Sequence, residues 1–126
     1  MAARPATAAE PARPRKIVLI AGPLDSHPRE THEYEKNILL LRHCLENAPA
    51  FRGARVETHF DGWPANPATL DDADTLFLTS GGSDRKETDH PLYVGDRFAQ
   101  LDRQMRRGCG LVLFHWSTFH PHRVDE

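Results

Sequence analysis

What most constrains this chain is a set of short, unbroken apolar runs, each ending in a sharp turn. Residues 17–21 read Ile-Val-Leu-Ile-Ala and close on Gly22-Pro23. Leu76-Phe77-Leu78 lies between Thr75 and Thr79 and closes on Ser80-Gly81-Gly82, and Leu111-Val112-Leu113-Phe114 delivers His115-Trp116-Ser117. Runs that do not alternate suit strands covered on both faces, which is the habit of parallel sheets. Residues 55–60 behave differently. Val56, Thr58 and Phe60 alternate with Arg55, Glu57 and His59, the mark of a half-exposed strand. Between the first two strands, Tyr34, Ile38, Leu41, Leu45 and Ala48 recur at helical spacing. They predict a helix over about 33–48, with Glu33 and Glu35 at its positive end and Pro49 as its stop. A short helical turn is expected at 68–72. A second helix, capped by Asp96 and stopped by Gly108, would carry Phe98, Leu101 and Met105 on one face.

This alternation of strands and helices predicts an α/β fold, a flavodoxin-like three-layer αβα arrangement around a parallel sheet in the order 2-1-3-4. The half-polar second strand then takes one edge and the apolar first and third strands lie inside. The fourth becomes the other edge although it is apolar on both faces, which leaves it open to pairing. The expectation is a chain truncated before further strands, self-associating through strand 4. Residues 1–15, rich in Ala and Pro, read as a disordered leader ahead of a domain over 16–126. They lack the apolar stretch of a secretory signal, so a cytoplasmic location is the default expectation.

At 126 residues the chain holds one domain at most, and its longest apolar runs fall far short of the ~20 residues that span a bilayer. Residues 1–16 carry a net +3 and the remainder −5, a balance that disfavours nucleic acid as a partner. A small molecule is the expected partner, with homo-oligomerisation open. Two cysteines, Cys44 and Cys109, are too few for a disulfide scaffold, and both read as buried small hydrophobes. Cys109 also precedes its strand, at the wrong end of the sheet for a nucleophile.

In open α/β sheets, ligands bind beyond the carboxyl ends of the strands, where the strand order reverses. Three segments are delivered there: the loop after strand 1 with His27, Arg29, His32 and Glu33, the loop after strand 3 from Ser80 to Asp84, and the turn His115-Trp116-Ser117. Of the eight histidines, His27, His32 and His115 fall in these segments. They are the candidate catalytic residues, and Glu33, Ser80, Gly81, Gly82 and Asp84 are the candidate ligand contacts. Three imidazoles on neighbouring strand ends could hold Zn²⁺ with an open fourth position. They could equally act as general acids and bases or bond sugar hydroxyls, or be ordinary loop histidines. In either functional case His115 should approach His27 or His32 to within roughly 8 Å, the reach of one bridging atom or group. Ser80-Gly81-Gly82-Ser83 reads as a phosphate cradle or as a tight turn that lets a ligand or another loop come close. His43 and His59 look like exposed-face residues without a role, and neither His90 nor His120 is assigned one.

Several segments, in order, resemble the ThuA-like (trehalose utilisation) family of the class I glutamine-amidotransferase-like superfamily. They are KIVLIAG at 16–22, HPRETHEYE at 27–35, DGWP at 61–64, Ser80-Gly81-Gly82, His90-Pro91-Leu92 and GCGLVLFHWS at 108–117. The resemblance implies a flavodoxin-like fold and a place in disaccharide or keto-sugar metabolism. If the protein is an enzyme, it would be a hydrolase, lyase or isomerase type acting on carbohydrate. It also implies that His115 stands where amidotransferases carry their cysteine, which excludes glutaminase chemistry by that route. The charged stretch 83–89 departs from the family pattern. Two other outcomes are a carbohydrate-binding or interaction domain without catalysis, and an inactive fragment.

Overall fold

A computed structural model describes residues 13–28, 30–83 and 86–120. Four strands, β1 (Lys16–Ala21), β2 (Arg55–His59), β3 (Thr75–Thr79) and β4 (Gly110–Phe114), form one all-parallel sheet in the order β2-β1-β3-β4. Helix α1 (Tyr34–Asn47) covers one face, and α2 (Arg97–Arg106) lies against the other with a set of short 3₁₀ turns. This is the α/β, flavodoxin-like arrangement expected from the apolar runs.

The two cores follow from side-chain alternation along β1, every residue of which is buried. Val18 and Ile20 point to one side and join Leu76, Leu78, Leu92 and Leu101. Ile17, Leu19 and Ala21 point to the other and meet Tyr34 and Ile38 of α1. Fully burying each such aliphatic side chain is worth about 1.5–3 kcal/mol, so a strand buried on both faces anchors both layers at once. Val56 packs on the α1 side while Glu57 faces Lys16, so β2 has the two-sided character its alternation predicts.

Lys16 is buried, and its ammonium is fully engaged. Nζ donates to the Thr69 carbonyl at 2.5 Å and the Thr69 hydroxyl at 2.9 Å, and pairs with Asp72 at 2.7 Å and Glu57 at 2.8 Å. Beside it, Arg13 makes a two-pronged contact to Asp74 at 2.8 and 2.9 Å, and Arg15 lies 3.1 Å from the same carboxylate. The last residues of the expected leader are thus tied to the amino end of the sheet; residues 1–12 lie outside the described residues.

Local details differ from the sequence reading for physical reasons. Cys44 is exposed, because α1 turns only its Tyr34–Ile38 stripe fully inward; Cys109 is buried as expected. Asp96 holds the cap position of α2, but its carboxylate accepts from the Gln100 side chain instead of a backbone N–H. Phe98 shares a face with Leu101 and Met105 yet is 53 % exposed, stacking on Tyr93 at 5.7 Å; Gln100 and Gln104 are the buried neighbours of Leu101. β4 ends at Phe114, where the apolar run ends. Its Leu111, Val112 and Phe114 are exposed, as an edge strand with little cover must be. No helix among the described residues is long and apolar enough to cross a membrane.

Candidate functional site

The register of the sheet builds the site. Ala21 pairs with Thr79, and Thr79 with Phe114, so the three strands end level. At a strand spacing of ~4.8 Å, the segments that follow them emerge side by side. The chain leaves β1 toward β2 and leaves β3 toward β4, so the crevice opens between β1 and β3. Close approach there depends on glycine. The Gly22 N–H donates to the Thr79 carbonyl at 2.7 Å, and a Cβ on Gly22 would stand 2.4 Å from the Ser80 Cβ. A Cβ on Gly82 would lie 2.7 Å from the Phe119 Cβ and 2.8 Å from the Trp116 carbonyl oxygen. The tight-turn reading of this segment therefore describes Gly82.

A cleft of about 380 Å³ lies over these strand ends, lined among others by Asp25, His27, His32, Gly81, Gly82 and Trp116. Asp25 is its hub. Oδ1 lies 2.9 Å from His27 Nδ1 and accepts the His27 backbone N–H at 3.0 Å. Oδ2 lies 2.8 Å from His32 Nδ1 and accepts the Tyr34 hydroxyl at 2.6 Å. The Tyr34 oxygen is also 2.9 Å from His32 Nδ1. Burial of the Asp25 carboxyl pushes its pKa up, but the bonds from Tyr34, His32 and His27 together outweigh that and hold it well below the usual carboxylate range. An ionised Asp25 accepting from Nδ1–H leaves the lone pair of His32 on Nε2, the form a general base needs.

The expected convergence of histidines is present. The His32 ring lies 4.1 Å from that of His27 and meets His115 edge-on at 5.4 Å, with Trp116 6.5 Å away. His115 is exposed and opens the 3₁₀ turn after β4 with φ of +61°, a left-handed conformation uncommon outside glycine. Ser117 braces that turn from below. Its fully buried hydroxyl accepts the Phe114 N–H at 2.8 Å and stands 2.8 and 3.0 Å from the carbonyls of Phe114 and Leu78, to one of which it donates.

His90 holds the same turn from the other side. Its Nδ1 accepts the Leu92 N–H, so Nε2 carries the proton and donates to the Ser117 carbonyl at 2.8 Å. Burial pushes its pKa down, with His120 adding to the effect, so this ring is a neutral brace. His120 stacks on it at 5.3 Å and bonds the Tyr93 hydroxyl at 3.0 Å.

The other expected contacts are divided. Gly81 borders the cleft, where a Cβ would come 3.5 Å from Asp25 Oδ2. Ser80 is fully buried with its hydroxyl donating to the Gly81 carbonyl, so it closes the turn instead of facing the cleft. Glu33 stands at the N-cap position of α1 without a side-chain bond to the helix backbone, pairs with Lys36 at 2.9 Å and lines a neighbouring hollow. Asp84 and Arg29 lie outside the described residues. Among those described, the group able to hold a metal ion is Asp25, His27 and His32; His115, part of the expected imidazole trio, does not belong to it. Sequence reading missed Asp25, Tyr34 as a site residue, and Ser117 as a brace. The Asp-x-His spacing at 25–27 was the available signal for the first. A comparison with protein-family models, curated proteins and solved structures finds no match to this chain.

Proposed function

We propose that this is a ThuA-like domain whose cleft takes a small carbohydrate of the trehalose or keto-sugar type. The observation that carries the reading is the edge-on pair His32–His115, 5.4 Å apart beside a cleft of about 380 Å³. That volume falls in the range of ~300–1,000 Å³ usual for small-molecule sites. Two imidazoles at this separation can bond adjacent hydroxyls, or move a proton on and off one carbon–oxygen centre. Asp25 keeps His32 in one tautomer, and the indole of Trp116 offers a flat apolar surface for the C–H face of a sugar ring.

The chemistry that suits such a pair is proton abstraction or delivery, as in a hydrolase, lyase or isomerase. A thiol route is disfavoured by position and protonation together. Cys109 is buried at the start of β4, and burial pushes its thiol pKa up. The exposure of His27 and His115 favours a second reading, a carbohydrate-binding domain without turnover, because a water-open site needs no reacting group to bind a sugar.

Calorimetric titration of the full chain with trehalose and with its oxidised keto form tests the proposal. One of the two should bind, and His115→Ala should weaken that binding at least tenfold while the melting temperature changes little. Binding that is absent for both sugars, or unchanged in His115→Ala, overturns it. Product formation on prolonged incubation separates catalysis from simple binding.

A further inference from the structure

We propose that Asp25, His27 and His32 form a site for one divalent transition-metal ion of the zinc class. The inference rests on the cleft being the place where ligand is handled, and it names what else that cleft holds.

One donor atom from each of the three side chains lies within 4.8 Å of the other two. Ligands on a tetrahedral Zn²⁺ sit ~2.0–2.2 Å from the ion, which puts them about 3.3–3.6 Å from one another. The present contacts of 2.8 and 2.9 Å between the carboxylate oxygens and the two Nδ1 atoms are those of shared protons. An ion replacing those protons needs the rings to move outward by about half an ångström. The segment that carries Asp25 and His27 lies outside the regular elements and is exposed, so such an adjustment disturbs no strand or helix.

Three further features favour a cation. Among the described residues, the ion pairs of Asp25 are with His27 and His32 alone, with no Lys or Arg occupying the place of the ion. Tyr34 donates to Asp25 from outside the triad, the kind of bond that fixes a ligating carboxylate. All three side chains line the same cleft, and Gly81 leaves space beside Asp25, so a fourth position stays open to water or substrate oxygen. Two imidazoles and one carboxylate select zinc, iron or cobalt over magnesium or calcium, which prefer all-oxygen sites. With an ion in place His32 becomes a ligand, and His115, outside the triad, is left as the proton-transfer group.

The test titrates Zn²⁺ into the chelator-treated full chain by calorimetry, with Co²⁺ absorption reporting coordination. The expected result is one ion per chain, with four-coordinate cobalt bands. Affinity should fall at least tenfold in His27→Ala and in Asp25→Asn, and stay unchanged in His115→Ala and His43→Ala. His27 is exposed, so its variant should keep the native circular dichroism and remain a fair test if Asp25→Asn misfolds. Absence of stoichiometric binding, or binding indifferent to both the His27 and Asp25 variants, overturns the proposal. Should the chelator-treated chain bind sugar but not Zn²⁺, the metal inference alone falls. Should it bind Zn²⁺ through Asp25 and His27 but no sugar, the inference stands and the carbohydrate reading falls.

Discussion

His115 occupies a backbone conformation that an L-residue holds only at a cost, and this can be measured. With φ at +61° it sits in the left-handed region. That region disfavours a side chain with a Cβ by roughly 1–2 kcal/mol, an amount relieved by glycine. Glycine in turn adds unfolded-chain entropy that offsets about 0.4–1 kcal/mol of the relief. Taking the middle of each range, His115→Gly should therefore be more stable than His115→Ala by about 0.8 kcal/mol. Alanine is the proper reference because both variants lose the ring contacts to His32 and Trp116 and differ only in the Cβ. In urea, with a slope of about 1–2 kcal/mol/M, the midpoint of the glycine variant should lie roughly 0.3–1 M higher at unchanged slope. Both variants should lose sugar binding equally. A glycine variant more stable than the alanine variant, with binding lost in both, is expected where strain supports a working side chain. Equal midpoints, or a less stable glycine variant, would refute the left-handed assignment and remove the strain argument for His115.

Thiol labelling should distinguish the cysteines. Cys44 is exposed and should react with a soluble disulfide reagent in the native state, whereas Cys109 should react only on unfolding; peptide mass mapping reads the result. Acid stability should carry the mark of Asp74. The Lys16 N–H, Arg13 and Arg15 outweigh its burial and lower its pKa from 3.8 to about 2. A carboxyl depressed in the folded state contributes stability above its unfolded pKa and loses it as pH falls toward the folded value. Asp74→Asn should flatten the fall of melting temperature between about pH 4 and pH 2, and an unchanged profile would contradict the contact. Gly82→Ala should cost about 1–3 kcal/mol, since its methyl would meet Trp116 and Phe119, and it should shift tryptophan emission as the turn moves.

The sheet was legible because its physics is local. An unbroken apolar run such as residues 17–21 has one comfortable place, inside a covered parallel sheet, and the half-polar 55–59 stretch has another, at the edge. Strand order and site position then follow from connection rules, which is why His32 and His115 could be placed near each other from 83 residues apart. What stayed hidden depends on pairings that no period encodes. Tyr34 reads as a core residue of α1, and its ring is buried, yet its hydroxyl reaches Asp25. Ser80 and Gly81 are adjacent in a turn, and only their backbone geometry buries one and opens the other. Lys16 looks like the polar start of a strand. It is buried because Glu57 and Asp72 converge on it from β2 and from the turn before β3.

Everything proposed for this site requires the cleft at the strand ends to receive a ligand through His27 and His32 in its wall and His115 beside it. Selective isotope labelling of the histidine rings lets each imidazole be followed by NMR as trehalose or its keto form is added. The signals of His27, His32 and His115 should move together and saturate at one ligand per chain, with those of His43 and His59 unmoved. Silence at His27, His32 and His115 alike, or movement spread equally over His43 and His59, would rule this out.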